Sequence, residues 1–173
     1  QEVNSIASQA DGKILVGGDF VAVDDISRIR IARLNHDGSL DTGFNLNAGG
    51  MNLSSVDGFT FHSNGRVFVT GRFPEFEGLD LGSIVLLDSD ASLITSFDPR
   101  PSSTVYAPVF QADGKLLLGG TFGNIEGEER ARIARLNEDE LPMESITLGG
   151  DNHSIDWVRD GGTMDVTYGA TIE

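Results

Sequence analysis

Apolar and polar positions along this chain come in short bursts separated by turn dipeptides, and the bursts recur. KILVGG (13–18), RVFVTG (66–71) and KLLLGG (115–120) each follow a turn dipeptide: Asp11-Gly12, Asn64-Gly65 or Asp113-Gly114. Such pairs suit two-residue type I′ hairpin turns, whose two central positions both need positive φ. Gly12, Gly65 and Gly114 are therefore expected at structural turns. Each turn joins a preceding run, such as 3–9, to the apolar run after it. A third strand reads IARLN (31–35), IVLLD (84–88) or IARLN (133–137), and Asp37-Gly38 opens a turn into SLDTGF. Four short strands per unit follow from this pattern. No stretch sustains the 3.6-residue apolar period of a helix, so almost none is expected.

The units align without gaps through most of their length. Gly12, Gly65 and Gly114 lie 65 − 12 = 53 and 114 − 65 = 49 residues apart, and Phe20, Phe73, Phe122 and Ile31, Ile84, Ile133 keep the same steps. The difference in spacing falls in NLNAGGMNLSS, between Phe44 and Val56. A thin four-stranded sheet cannot bury two apolar faces by itself; stacking against like neighbours does so. The Gly17-Gly18 and Gly119-Gly120 pairs fit strands that approach too closely for side chains. The expected fold is all-β: β-propeller blades, with a linear β-solenoid as the alternative, although solenoid coils repeat at shorter spacing. The expected domains are 1–141, holding three repeats at about 3–53, 56–104 and 105–141, and a β-rich segment at 142–173. Propellers use typically about four to eight blades, so three repeats imply a piece of a longer chain, closure by association, or an open arc.

The pair VNSIASQADGKILVGGDF and RIRIARLNHDGSLDTGF resembles the delta-60 repeat, a bacterial β-propeller repeat that occurs in tandem in large secreted or surface proteins. The match is close in the first and third copies. It is weaker in the second, where Thr70 replaces a glycine and Leu86 an arginine. The segment SITLGGDNHSIDWVRDGGTMDVTYGATIE (145–173) is similar to the opening strands of an immunoglobulin-like module. The resemblance implies a bacterial extracellular or cell-surface location. The regularity of the repeats and the absence of a reactive constellation in any one copy lead to the expectation of a non-catalytic structural or interaction role toward a protein or glycan partner.

Composition narrows the partners. Twelve basic and 27 acidic side chains among 173 residues give a net charge of −15, which argues against nucleic acid and anionic membranes. No run of apolar residues is long enough for membrane insertion as a helix. Cysteine is absent, which excludes disulfides and thiolate chemistry. Residues 138–173 carry nine acids and Arg159, a balance of −8, against 11 − 18 = −7 for the preceding 137 residues, marking a composition boundary near Pro142.

The loops after the second strand of each unit (19–28, 72–82 and 121–130) collect carboxylates. Asp24, Asp25, Glu75, Glu77, Glu126 and Glu128 are the metal candidates, with Asp80 and Glu129 beside them. Oxygen ligands from several loops suit Ca²⁺, but the fixed spacing of a Ca²⁺ loop is missing, so a solvated acidic rim with no cofactor is the expectation. NHDGSLD (35–41) echoes a Ca²⁺ pattern that decays to DSDASLI and NEDELPM in the other copies; an Asx turn explains it without metal. Alternation through RIRIARL places Arg28 and Arg30 on one face with Ala32 and Leu34, and Arg33 on the other with Ile31. Arg33 and Arg135 should then find carboxylate or carbonyl partners in a neighbouring blade, an anion or glycan pocket being the alternative. His36, His62 and His153 share no ligand spacing. Trp157 is expected in a core, against an exposed sugar-stacking role. No nucleophile elbow or phosphate loop occurs, so no catalytic residue is assigned. The competing readings are a propeller-type hydrolase or lyase using acidic rim residues, and a Ca²⁺-dependent adhesin.

Overall fold

A computed structural model describes residues 2–49, 54–62, 65–112, 115–136, 145–148 and 155–158. Among the described residues there is no helix; every regular element is a strand. Gly114, Pro142 and His153 lie outside the described residues, as does most of the segment read as immunoglobulin-like. The chain forms two compact units, Gln1–Arg100 and Pro101–Glu173.

In the first unit, β1 (Val3–Ser8), β2 (Ile14–Gly18) and β5 (Ile31–Leu34) form one antiparallel sheet with β2 central, and β3 (Ala22–Val23) pairs β4 (Ile26–Ser27) in a small ribbon. The second repeat gives β6 (Ser55–Phe61), β7 (Val67–Arg72) and β8 (Ile84–Leu87), with β7 central. In the second unit, β9 (Val105–Phe110), β10 (Leu116–Gly120) and β13 (Ile133–Leu136) repeat the sheet, and β11 (Asn124–Ile125) pairs β12 (Glu128–Glu129). Finally β14 (Ser145–Leu148) pairs β15 (Ile155–Val158), setting Ile146 opposite Trp157.

The main sheet of each repeat holds three strands. The expected fourth is reduced to one bridge, Leu34 to Leu40 in the first repeat and Leu87 to Leu93 in the second. The reason is local. Asp41 accepts from Gly43 N on its side chain and from Phe44 N on its carbonyl, so the chain turns away before more pairs can form.

The hairpin turns also differ from the type I′ expectation. Gln9 N donates to Lys13 O (2.7 Å) and Gly12 N to Gln9 O (3.0 Å), while only Gly12, at φ 82°, is left-handed. This is a type I turn closed by a G1-bulge glycine, a three-residue loop. Asp11 favours it because its carboxylate accepts from Lys13 N (3.0 Å), which holds the aspartate in an ordinary turn conformation. Gly65, at φ 92°, closes the second hairpin by the same bonds. A β-branched side chain is strained at such φ, so Gly12→Val should lower stability by more than about 1 kcal/mol in urea unfolding. An unchanged midpoint would contradict this account of the turn.

The two sheets of the first unit pack face to face. Leu15, Ile31 and Phe44 from the first repeat and Val56, Val67, Val69, Val85 and Leu87 from the second form one buried core. At roughly 1.5–3 kcal/mol for each fully buried aliphatic side chain, this shared face dominates the unit's stability. Gly17 makes the approach feasible: a Cβ there would stand 2.5 Å from Val56 Cγ1 and 3.0 Å from Phe59 Cζ. Phe20, Phe73 and Phe122, two residues beyond the second glycine position, are all buried.

Candidate functional site

The loops that collect carboxylates fold into equivalent short ribbons, two residues per arm in the first and third repeats and a single bridge in the second. Each has an apolar residue before its tip: Val23, Phe76 or Ile125. Phe76 and Ile125 are fully buried and Val23 half-buried. Phe76 stacks edge-on against Phe73, ring centroids 5.6 Å apart. Behind this anchor the chain reverses within two residues, and here the type I′ geometry does occur. Asp24 and Asp25 have φ of 48° and 62°, Glu77 and Gly78 52° and 75°, Glu126 and Gly127 51° and 82°. An acid thus stands at the same left-handed position of all three tips, where non-glycine residues are uncommon. Antiparallel pairing at Val23–Ile26, Phe76–Leu79 and Ile125–Glu128 closes the ribbons.

Each sequence-nominated acid can now be placed. Asp24, Asp25, Glu77 and Glu126 occupy the tips, Glu128 lies on the returning arm, and Glu75 precedes the second anchor; all are exposed. Among the described residues, no three His, Cys, Asp or Glu side chains converge closely enough to hold a metal ion. Glu77 is tied down: its carboxylate accepts from Asn47 N, and its own N donates to Asn47 O (2.9 Å). A cavity of about 390 Å³ opens beside it, lined by Ser27, Ile29, Asn45, Leu46, Asn47 and Glu77. Behind this wall Arg28 is buried, its Nη1 donating to Ser27 O (2.7 Å) and Asn45 Oδ1 (3.1 Å). The arrangement offers amide and carboxylate hydrogen-bonding groups at a rim.

The arginines differ from their sequence reading in two ways. Strand β5 begins only at Ile31, because Arg30 has φ 67°. Its N donates to Phe20 O (2.9 Å) and its carbonyl accepts from Gly18 N (3.0 Å), so the alternation does not extend back to Arg28 and Arg30. Arg33 finds its partner within its own repeat, not in a neighbour. Its Nε donates to Asp41 Oδ2 (2.9 Å), which also accepts from Lys13 Nζ (2.9 Å), and the guanidinium lies 4.9 Å from the Phe44 ring centroid. The Lys13 bond, followed by Arg33, lowers the Asp41 pKa to about 2 against the penalty of burial. The signal was available: the second copy replaces both partners, with Leu86 at the Arg33 position and Ile94 at the Asp41 position. Arg135, also buried, bonds Gln111 Oε1 (3.4 Å).

NHDGSLD is a pair of turns. Asp37 Oδ1 accepts from Ser39 N (3.0 Å) and Ser39 Oγ (2.7 Å), the hydroxyl being the larger cause of its lowered pKa. Asp90 repeats this with Ser92. The ribbons are what sequence reasoning missed. Their signal was an apolar residue, an acid and a second turn residue at one register in every copy.

Repeated antiparallel sheets, each with a ribbon at one end of its middle strand, and stacked faces in the first unit define an all-β chain built of β-propeller blades. The family model described as a domain of unknown function (DUF5122), β-propeller, matches residues 9–44 and 111–139, which lie in the first and third repeats. Comparison with curated proteins and with solved structures gives no match. Among the described residues, no helix is long and apolar enough to cross a membrane.

Proposed function

We propose that the chain is a non-catalytic interaction module of a bacterial secreted or cell-surface repeat protein, presenting the ribbon rim to a protein or glycan partner. The observation that carries this reading is the acid at positive φ in every tip, Asp24, Glu77 and Glu126. A left-handed conformation costs an ordinary residue roughly 1–2 kcal/mol, and glycine would avoid it. Glu77 also ties its tip to Asn47, but a left-handed acid kept at one exposed position in all three copies fits recognition of a partner. The charge suits a partner surface bearing cationic or hydrogen-bond-donating groups, and no metal is assigned a part. The cell-surface placement rests on the delta-60 resemblance.

An array of glycans and basic peptides, probed with the chain and with Asp24→Gly, tests the idea. The variant should keep its stability or gain up to ~1 kcal/mol while losing binding. Equal binding by both proteins, or cleavage of an arrayed glycan, would overturn it. Melting scans in Ca²⁺ and in EDTA should coincide; a transition raised by Ca²⁺ would favour the adhesin reading.

A further inference from the structure

Each middle strand runs from a hairpin turn to a ribbon, so the hairpins of the first two repeats stand at the end of the sheets away from the ribbon rim. A cavity of about 570 Å³ opens between them. Its lining includes Gln9 and Asp11 from the first hairpin, Phe61 and His62 from the second, and Ser89 from the turn after β8. Among the described residues, no three acid or histidine side chains converge as a metal ion would need, so this lining suits an organic ligand.

Gln9 gives the cavity its chemistry. Its Oε1 is buried without a hydrogen-bond partner, a state that calls for an explanation. The third repeat shows what the position ordinarily does. There Gln111 Oε1 accepts from Arg135 Nη1 (3.4 Å), and Arg33 stands at the Arg135 position of the first repeat. The first repeat also carries Asp41, where the third has Met143. Asp41 takes the Arg33 guanidinium, so Gln9 is left without its donor. Gln9 lines the cavity while its oxygen is covered, and rotation about χ3, a broad torsion, presents that oxygen to the cavity at little cost.

We propose that this cavity is a binding site for a neutral saccharide, separate from the ribbon rim and independent of the reading given to it. Gln9 Oε1 and Asp11 Oδ2 accept, Asp11 having committed only Oδ1 to Lys13 N. The Gln9 amide nitrogen donates, and the Ser89 hydroxyl does either. Phe61, half-buried and packed against the shared core, brings an aromatic ring that is held in place. Sugar hydroxyls donate and accept together, and the C–H face of a pyranose packs on an aromatic ring. An alkylammonium ion only donates, so it would leave the Gln9 amide nitrogen without an acceptor. A few placed polar groups beside an apolar wall are the usual make-up of a small-molecule pocket.

Amide NMR titration tests this with maltose, cellobiose, lactose and diacetylchitobiose, and with butylammonium and inorganic phosphate as controls. At least one disaccharide should shift the Gln9 side-chain amide and the Gly65 backbone amide saturably, and the controls should not. Gln9→Ala should weaken that binding by at least about fivefold, and Ser89→Trp, a change at an exposed position, should block it. Both variants should keep the parent's melting temperature, because Gln9 Oε1 gives up no bond. Gln111→Ala should lower it, because Arg135 loses an acceptor. Asp24→Gly should bind the disaccharide as the parent does, which keeps this site's test apart from that of the ribbon rim. No shift with any of the four sugars would overturn the proposal, as would butylammonium binding in their place. Sugar binding that survives both cavity variants, or that falls with Asp24→Gly, would place the sugar elsewhere and overturn it too. A Gln9→Ala chain destabilised as much as Gln111→Ala would show that Gln9 already holds a partner, with the same result.

Discussion

Gly71→Ala is expected to cost at least about 3 kcal/mol, or to prevent folding, although alanine is the smallest substitution available. The backbone at Gly71 is not left-handed, so conformational preference is not the cause. The cause is space. A Cβ at this position would stand 2.1 Å from the carbonyl oxygen of Ser55 and 3.0 Å from both Val56 Cα and Phe73 Cε1. The obstacle is backbone held in the β6–β7 ladder, where the register shifts between Val56 and Gly58, so it cannot swing aside as a side-chain tip would. The same clash stands at Gly18 against Glu2 O (2.0 Å) and at Gly120 against Thr104 O (2.2 Å). Gly78→Ala separates the two kinds of glycine. It has open space within 4 Å but φ of 75°, so only conformational strain of about 1 kcal/mol should appear. Urea unfolding of both variants at one pH measures the difference. Similar losses for the two would remove the steric account of the repeat's second glycine.

That glycine shows why much of the fold was legible in the sequence. A sheet edge that brings a carbonyl within 2.2 Å of a missing Cβ admits only glycine, so the residue recurs at fixed spacing even where its neighbour Gly17 becomes Thr70. Period-two apolar patterning placed the strands for the same reason, since each middle strand meets packing on its faces. What escaped was set by bonds that no single position encodes. Asp11-Gly12 reads as a two-residue turn until Asp11 spends its carboxylate on Lys13 N. Arg28 and Arg30 read as strand until Arg30 turns left-handed to bond Phe20 O and Gly18 N. The ribbons escaped because their arms are two residues long or less, too short for any periodicity. The acids at their tips were visible as charge, but not as a shared conformation. The partner of Arg33 was misplaced because alternation gives a side chain's face, not its reach. Only the joint change to Leu86 and Ile94 records that Arg33 and Asp41 belong together.

That joint change carries the second large effect. Asp41→Ile in the first repeat should destabilise by roughly 2–3 kcal/mol, because Arg33, mostly buried over Phe44, and Lys13 would both lose their carboxylate. Arg33→Leu should cost less, since Lys13 still satisfies Asp41. The double variant copies what the second repeat already holds, an apolar pair, and should return to within about 1 kcal/mol of the parent, leaving a coupling energy of about 1–2 kcal/mol. The pH dependence has a definite sign. Folding holds the Asp41 pKa at about 2, below its ordinary 3.8, so the ionised form is favoured in the folded chain. Its contribution is complete above the unfolded value and falls away as the pH drops through that value toward 2. The loss amounts to roughly 2 kcal/mol between about pH 5 and pH 2. Asp41→Asn removes the titrating group, so the stability gap between parent and variant should narrow across this window while staying level from pH 5 to pH 7. A gap that stays constant down to pH 2 would mean that the carboxylate gains nothing from Lys13 and Arg33. A double variant as unstable as the sum of its parts would mean that the second repeat's Leu86 and Ile94 are unrelated losses and not a substitute for the ion pair.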